Sequence, residues 1–172
     1  MPIAKDPGIA REVAPTRKAV AKGSLPGSGG ESVFYNFYKA YKLVYERIER
    51  DLSGAGQAAL SPLEMMHRID VSPEGRLRLL DLARSLVTSP SSVTRMMDKL
   101  VKQGLIVRRE SELDRRETFA YLTPKGKQQL DKGMKILRKA IEKHFEFALT
   151  SPEETKAFVD VLHVLIQGKE PS

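Results

Sequence analysis

The sequence predicts a mainly α-helical fold that carries one short β-hairpin. Two observations lead to this prediction. After residue 30, apolar residues recur every three or four positions, as they do on one face of an amphipathic helix. Two short β-prone runs, 105–110 and 118–122, flank a charged segment that is typical of a hairpin tip. With 172 residues and 41% apolar content, the chain suits one medium-sized domain or one domain with an added dimerisation element.

The composition excludes several classes of protein. The chain has no cysteine, which rules out disulfides, thiolate zinc sites and a cysteine nucleophile. It shows neither an apolar run long enough to span a membrane nor a secretory signal, so we expect a cytoplasmic protein with no membrane partner. The net charge of +7 permits an acidic partner such as nucleic acid. The basic surplus is spread along the chain, and residues 61–126 and 127–148 each carry a net charge of +3.

Residues 1–30 are predicted to form a flexible basic arm and linker, because they contain four prolines and five glycines. The glycines are not followed by lysine with serine or threonine, which excludes a phosphate-binding loop. The basic side chains of this arm either contact a DNA backbone or belong to a solvated tail. They are Arg11, Arg17, Lys18 and Lys22.

The rest of the chain divides into helices with recognisable starts. The first helix begins near Glu31 and carries an apolar stripe from Phe34 to Leu52. A further helix is predicted over residues 79–86, and a brief strand over residues 76–78. Serine or threonine followed by proline predicts the other helix starts, because the hydroxyl caps the helix and proline suits its first turn. These starts are at Ser61, Ser89, Thr123 and Ser151.

The succession of short helices, a hairpin and two further helices predicts a winged helix-turn-helix. We assign residues 59–126 to this winged lobe and expect it to bind DNA. The helices within 31–58 and 127–172 carry apolar stripes too large for so small a lobe to cover. They therefore need each other or a second copy of the chain. We predict that these N- and C-terminal helices form the base of a dimer.

The helix that follows Ser89 is predicted to enter the major groove, because its polar face is suited to DNA. Arg95 has the reach and the fork geometry to bind guanine, and Lys99 can contact a base or a phosphate. Ser91 and Ser92 are small enough for the backbone to approach DNA, and their hydroxyls can meet phosphate. The alternative is an ordinary solvated helix face. The opposite, apolar face consists of Val93, Met96, Met97 and Leu100.

Acidic residues accompany both predicted DNA-contacting elements. On the helix, Asp98 opposes DNA and is expected to pair with a neighbouring base such as Lys102, four residues later. On the hairpin, Asp114 is expected to hold Arg116 in one orientation, so that its guanidinium enters an A·T-rich minor groove. The alternative is a charged turn that keeps the hairpin soluble. The arginines of the hairpin are Arg108, Arg109, Arg115 and Arg116.

The segment from Arg95 to Gly126 resembles the MarR (multiple-antibiotic-resistance regulator) family of bacterial transcription factors. The matching residues are 92–100 and 104–106, then Asp114-Arg115-Arg116 and, after five intervening residues, Leu122-Thr123-Pro124-Lys125-Gly126. The D-x-R…LT-x-x-G pattern of the family is met at every position with its usual spacing. Residues 75–78 and 82–83 also resemble a common subgroup, and the similarity extends over about residues 60–130.

The resemblance implies a homodimer in which the terminal helices interdigitate and two winged lobes read a pseudo-palindrome. It also implies DNA contacts at the matched positions. Thr94 lies toward the side of its helix, where it alternatively supports the packing of the preceding helix. The implied contacts on the major-groove helix are Ser91, Ser92, Thr94, Arg95 and Lys99. Those on the wing are Asp114 and Arg116, to which the charge of the hairpin adds Arg109 and Arg115.

Many members of this family are repressors that small aromatic or phenolic ligands release from DNA. Such a ligand acts only if it binds the DNA-competent and DNA-incompetent states with different affinity. This sequence departs from the family pattern, since its second helix is short and carries His67-Arg68 where aliphatic residues are common. Arg68 would either bind a carboxylate or close the cavity, and the aromatic residues of the first helix are either core or pocket. The candidate lining residues are Phe34, Tyr38, Tyr41, Met65, His67 and Arg68.

No enzyme is predicted. His67, His144 and His163 are isolated from one another, and the motifs of metalloproteases, hydrolases and dinucleotide sites are missing. We therefore assign no catalytic residue, cofactor or metal site. Two non-enzymatic alternatives stay open. A winged module that contacts protein would not show a salt dependence set by phosphate contacts, and an architectural DNA binder would show no ligand-induced release.

Overall fold

A computed structural model describes residues 29–111 and 117–168, which are mainly helical with one small sheet, as predicted. The predicted arm therefore lies almost entirely outside the described residues. The chain divides into two units, of which the first ends at Leu43 and the second begins at Val44. The elements are α1 (Gly30–Gly54), α2 (Leu60–Asp70), β1 (Arg76–Arg78), α3 (Leu79–Ser85), α4 (Pro90–Lys102), β2 (Ile106–Glu110), β3 (Thr118–Leu122), α5 (Pro124–His144), a 3₁₀ turn (Glu146–Ala148) and α6 (Pro152–Gln167).

In the first unit, the N-terminal half of α1 exposes its aromatic side chains. Phe34, Tyr38 and Tyr41 are 60%, 51% and 57% exposed. The rings of Phe34 and Tyr38 stack with 6.4 Å between centroids, because residues four apart are neighbours on a helix. These rings are therefore exposed in the first unit, and their assignment to core or to pocket stays a prediction.

In the second unit, α2, α4 and α5 bury their apolar faces in one core. Its fully buried side chains include Met66 of α2, Met97 of α4 and Leu130 of α5. The three strands form an antiparallel sheet in the order β1-β3-β2, which confirms the brief strand predicted over residues 76–78. Ala120 of the central strand is fully buried and joins the sheet to the core.

Three of the four predicted helix caps are confirmed, and one is wrong. Ser89, Thr123 and Ser151 each accept a hydrogen bond from the backbone N–H three residues later. The prediction of a cap at Ser61 is wrong, because α2 begins one residue earlier, at Leu60. The backbone N–H of Leu60 donates to the Glu49 carboxylate over 2.8 Å, so a side chain of α1 satisfies one of the free donors at the start of α2.

The junction between β3 and α5 explains the LT-x-x-G part of the motif. The Thr123 hydroxyl donates to the carbonyl of Gly104 over 2.7 Å and accepts from the N–H of Gly126 over 2.9 Å. A Cβ at Gly126 would overlap the carbonyl oxygen of Leu105, so the start of α5 can approach the backbone before β2 only with glycine there. The motif thus ties the long helix to the wing.

The last helix, α6, keeps its apolar face exposed. Val161, Leu165 and Ile166 are 57%, 64% and 80% exposed, and none of its described residues is buried. One residue of this apolar face, Phe158, contacts Phe145 at the end of α5, with 6.2 Å between the ring centres. Among residues 29–111 and 117–168, no helix is long and apolar enough to cross a membrane.

Candidate DNA interface

Helix α4 separates its apolar and polar residues as the helical wheel predicts. Val93, Met97 and Leu100 are buried against the core, and the half-buried Met96 packs beside them. Arg95 and Lys99 lie on the opposite side and are exposed. Burial of one face therefore fixes the direction in which these two cations point.

The cations of this face are free to meet an anion. In the described part of the chain, neither Arg95 nor Lys99 forms an ion pair or a side-chain hydrogen bond, and Lys102 at the end of the helix is also exposed without one. Most other arginines of the winged lobe pair with a carboxylate, as Arg76 does with Glu74. Unpaired cations on one helix face favour a polyanionic partner.

Hydroxyl groups surround the N-terminus of α4. The Ser89 hydroxyl shares hydrogen bonds with those of Ser91 at 3.0 Å and Ser92 at 2.9 Å. Thr94 is exposed and donates its hydroxyl to the carbonyl of Pro90 over 3.0 Å, so this hydroxyl serves its own helix and not the packing of the preceding one. The result is a polar helix start of the kind that binds phosphate.

The partner of Asp98 differs from the predicted one. Its carboxylate accepts from Arg108 of β2 over 2.7 Å, and not from Lys102. The same guanidinium reaches the carbonyl of Thr94 over 3.5 Å. A lysine four residues away competes poorly here, because β2 packs against α4 and brings in a planar guanidinium that can meet two acceptors. Arg108 therefore joins the wing to the helix.

The described part of the wing ends on either side of its tip. The N–H of Ser111 donates to the carbonyl of Glu117 over 2.9 Å, which closes the hairpin. Arg109 is exposed on β2, and its guanidinium lies 5.2 Å from the centre of the Tyr121 ring. The other predicted wing residues, Asp114, Arg115 and Arg116, lie outside the described residues.

An arginine cluster that the sequence analysis did not assign lies on the same sheet face. Arg76 and Arg78 of β1 stack over Phe119 at 4.3 and 5.6 Å from the ring centre. Hydrogen bonds to Tyr121 and then to Glu74 raise the pKa of Arg76. The alternation of residues 76–78 is the signal for this cluster, since arginines two apart in a strand share a face. A shallow cavity of about 210 Å³ opens beside them.

The predicted effector residues of α2 have different surroundings. Met65 is fully buried in the core, and His67 is half-buried. Arg68 is exposed and pairs with Glu64 over 3.3 Å, on its own helix. The shallow cavity beside Arg76 is lined by none of these residues. The effector pocket stays a prediction.

A charged cluster joins the C-terminal half of α1 to the end of α5. Asp51 accepts from Lys143 over 3.1 Å and contacts the His144 ring nitrogen at 2.9 Å. Hydrogen bonds from Lys143 and then from His144 hold the pKa of the Asp51 carboxyl below its usual value. The cluster lies between helices and carries no exposed unpaired cation, so we assign it to stability and not to DNA contact.

Two short helices joined by a tight turn, followed by a hairpin that packs beside them, make this lobe a winged helix-turn-helix domain. The sequence model of the MarR family matches residues 63–118. The transcriptional regulator YkoM of Bacillus subtilis, an uncharacterised protein of the helix-turn-helix type, is 30% identical over 128 residues, which cover 73% of this chain and 79% of YkoM. The chain belongs to the MarR family and is a transcriptional regulator.

Solved structures share the fold at lower identity. The MarR-family regulator Sco3205 of Streptomyces coelicolor, solved in complex with DNA, matches with a TM-score of 0.77 and 22% identity, over 86% of this chain and 96% of Sco3205. BpsR of Bordetella bronchiseptica, whose DNA binding is regulated by 6-hydroxynicotinic acid, matches with a TM-score of 0.70 and 17% identity, over 82% of this chain and 97% of BpsR.

Proposed function

We propose that this protein is a cytoplasmic, homodimeric repressor that binds a specific sequence of double-stranded DNA through α4 and the wing. The observation that carries the proposal is the exposed face of α4, where Arg95 and Lys99 lie unpaired opposite a buried apolar face. Arg95 reads a guanine edge in the major groove, and Lys99 contacts a base or phosphate. Ser91, Ser92 and Thr94 bring the polar start of the helix to the backbone.

The wing adds contacts outside the major groove. Arg109 projects from β2 beside the hairpin tip, and in the proposal it contacts the phosphate backbone together with Arg115. Arg116 enters the minor groove, with Asp114 as its holder. The bridge from Arg108 to Asp98 supports this arrangement, because it joins the strand that leads to the tip to the helix that reads bases.

Dimerisation supplies the symmetry that such DNA reading uses. The exposed apolar residues of α6 and the exposed aromatic residues of α1 are the surfaces that a second copy would cover. Two lobes in one dimer then read two halves of a pseudo-palindromic operator, in successive major grooves about 34–36 Å apart. Without a partner, these side chains would leave an unusually large apolar surface in water.

A small aromatic or phenolic effector completes the proposal. BpsR, whose DNA binding responds to 6-hydroxynicotinic acid, shares the fold and supports a search among aromatic acids. The proposed lining residues remain Phe34, Tyr38, Tyr41, Met65, His67 and Arg68. Met65 is fully buried, so direct contact between it and a ligand requires the core around it to open.

The test is a fluorescence-anisotropy titration on the DNA upstream of the protein's own gene, with a scrambled duplex as control and several salt concentrations. Arg95→Ala should weaken binding to the specific duplex about 10- to 100-fold and relax preference at one base position. Arg84→Ala, an exposed arginine of α3 that pairs with Asp81, should change binding far less. Equal binding of wild type to both duplexes at all salt concentrations would contradict a sequence-specific regulator.

A further inference from the structure

The outer face of α5 carries a row of cations that the proposed DNA reading does not use. Lys132, Lys135 and Lys139 are three and four residues apart, which places them on one face of the helix. All three are exposed, and the exposed Arg138 lies beside them. The opposite face of α5 is buried in the core, so the row is held outward. These four residues are hereafter the α5 cation row.

Several other lysines on the helices each pair with a carboxylate. Lys127 pairs with Asp70, Lys143 with Asp51 and Lys156 with Asp160. In the ranges 29–111 and 117–168, no member of the row forms an ion pair or a side-chain hydrogen bond. Acids and bases four residues apart normally pair on exposed helices. A row without such pairs shares its main property with the DNA face of α4.

We propose that the α5 cation row binds the phosphate backbone of a second segment of duplex DNA, without regard to sequence. The inference rests on the proposed function, in which α4 binds the first segment. Lysine is a flexible point charge, which suits phosphate oxygens better than base edges. From Lys132 to Lys139 the helix axis advances about 10 Å, which corresponds to the axial rise of about three phosphates of one strand, at roughly 3.4 Å each along the duplex axis.

The row lies on a helix that takes no part in the proposed reading of the first segment. Helix α5 begins at Pro124, directly after β3, and Lys132 lies about 12 Å further along the helix axis. In the proposed function, α4 and the hairpin contact the first segment. Strand β3 leads from the hairpin tip to α5, so the tip and α5 lie at opposite ends of β3. A regulator with a second duplex site could bring two DNA segments together on one protein.

The experiment counts duplexes bound per protein chain by analytical ultracentrifugation at low salt, with an excess of a random-sequence duplex of about two helical turns. Wild type should bind a second duplex that the variant Lys132→Gln/Lys135→Gln/Lys139→Gln does not bind. The control variant Arg47→Gln/Arg50→Gln/Lys156→Gln removes the same charge from exposed helix positions elsewhere and should keep the second duplex. The single change Lys135→Gln should lower the salt slope of the second step by about one unit.

Several results would overturn the inference. If the α5 variant still binds a second duplex, the second site lies elsewhere. If the control variant also loses the second duplex, the loss reflects the change in net charge and not the position of the α5 cation row. Loss of self-association in the α5 variant makes the row a contact between chains. Wild type that binds a single duplex overturns this inference and leaves the proposed function intact, whereas wild type that binds neither the random duplex nor the specific duplex of the anisotropy titration overturns both. Melting curves of all variants exclude unfolding as the cause.

Discussion

Helices α4 and α6 are both amphipathic, yet within one chain only α4 buries its apolar face. Val93 and Met97 of α4 are 1% and 0% exposed, whereas Val161 and Leu165 of α6 are 57% and 64% exposed. Helix α4 packs against α3 and β2, while α6 meets Phe145 through one aromatic side chain. An apolar stripe therefore shows which face of a helix requires cover. It does not show whether the same chain provides that cover.

The comparison separates two kinds of surface with different uses. The covered face of α4 holds its polar face rigidly outward, which is what a DNA-reading helix needs. The uncovered face of α6 is available to another chain, which is what a dimer base needs. The same stripe pattern in the sequence thus serves the interior of one lobe and a proposed interface.

The largest expected effect comes from placing a charge on the covered face. Met97→Asp should unfold the winged lobe, because it buries an unpaired carboxylate in the core, at a cost above about 4 kcal/mol. Circular dichroism and thermal melting check this expectation. A melting curve like that of the wild type would show that α4 is not held by its apolar face, and would remove the contrast with α6.

A smaller but still large effect is expected at the start of α5. Gly126→Ala should cost about 3 kcal/mol of unfolding free energy, because the new methyl meets the backbone of Leu105, which cannot rotate away. The matched control is Gly133→Ala, whose methyl would lie 2.5 Å from a Leu63 side-chain carbon. Leu63 is fully buried, so moving its side chain has a cost, but no backbone atom is displaced and alanine favours a helix. We therefore expect a loss of about 1 kcal/mol, smaller than at Gly126. Urea denaturation measures the unfolding free energy of both variants. Equal losses of unfolding free energy would contradict the role of the backbone contact at Gly126.

On the uncovered face, charges should change assembly and leave the fold nearly intact. Val161→Asp/Leu165→Asp places two carboxylates at exposed positions of α6, where the single chain loses little burial. We expect the helix content of the wild type together with dissociation of the proposed dimer at micromolar concentrations, measured by sedimentation velocity. An unchanged dimer would show that α6 does not form its base.

The smallest expected effect is on stability at acidic pH, and it concerns the Asp51 cluster that joins α1 to α5. The pKa of Asp51 lies below its ordinary value of 3.8, because Lys143 and His144 stabilise the carboxylate. This carboxylate therefore contributes stability above pH 3.8, and the contribution is lost as the pH falls through the lowered pKa. Asp51→Asn should melt below the wild type at neutral pH, and the difference should disappear toward pH 2. A difference that stays constant with pH would exclude this role of the charge.

Much of the fold could be predicted from local patterns. Ser89, Thr123 and Ser151 cap their helices as expected, because capping depends on residues three positions apart. The apolar face of α4 could also be predicted, since helical periodicity fixes which side chains share a face. The actual start of α2 at Leu60 could not, because Glu49, which accepts from the N–H of Leu60, belongs to another helix and lies eleven residues earlier in sequence.

The sequence predicted which residues form the candidate site better than it predicted which partners those residues contact. The unpaired state of Arg95 and Lys99 follows from the structure, as does the pairing of Asp98 with Arg108. The sequence predicted a pair between Asp98 and Lys102, because helical spacing identifies neighbours only along one helix. The actual partner, Arg108, lies on β2, which packs against α4 in the tertiary structure. The arginines over Phe119 were missed for the same reason, since their partners lie about 40 residues away in the chain.

The sequence by itself determined the class of fold, the family and the helix that we propose reads DNA, because each depends on residue types at short, regular spacings. The tertiary structure decided which apolar stripes are covered within one chain and which charges remain unpaired. Both properties depend on residues that are distant in sequence and close in space. Periodicity defines a face of a helix, but only packing determines what meets that face.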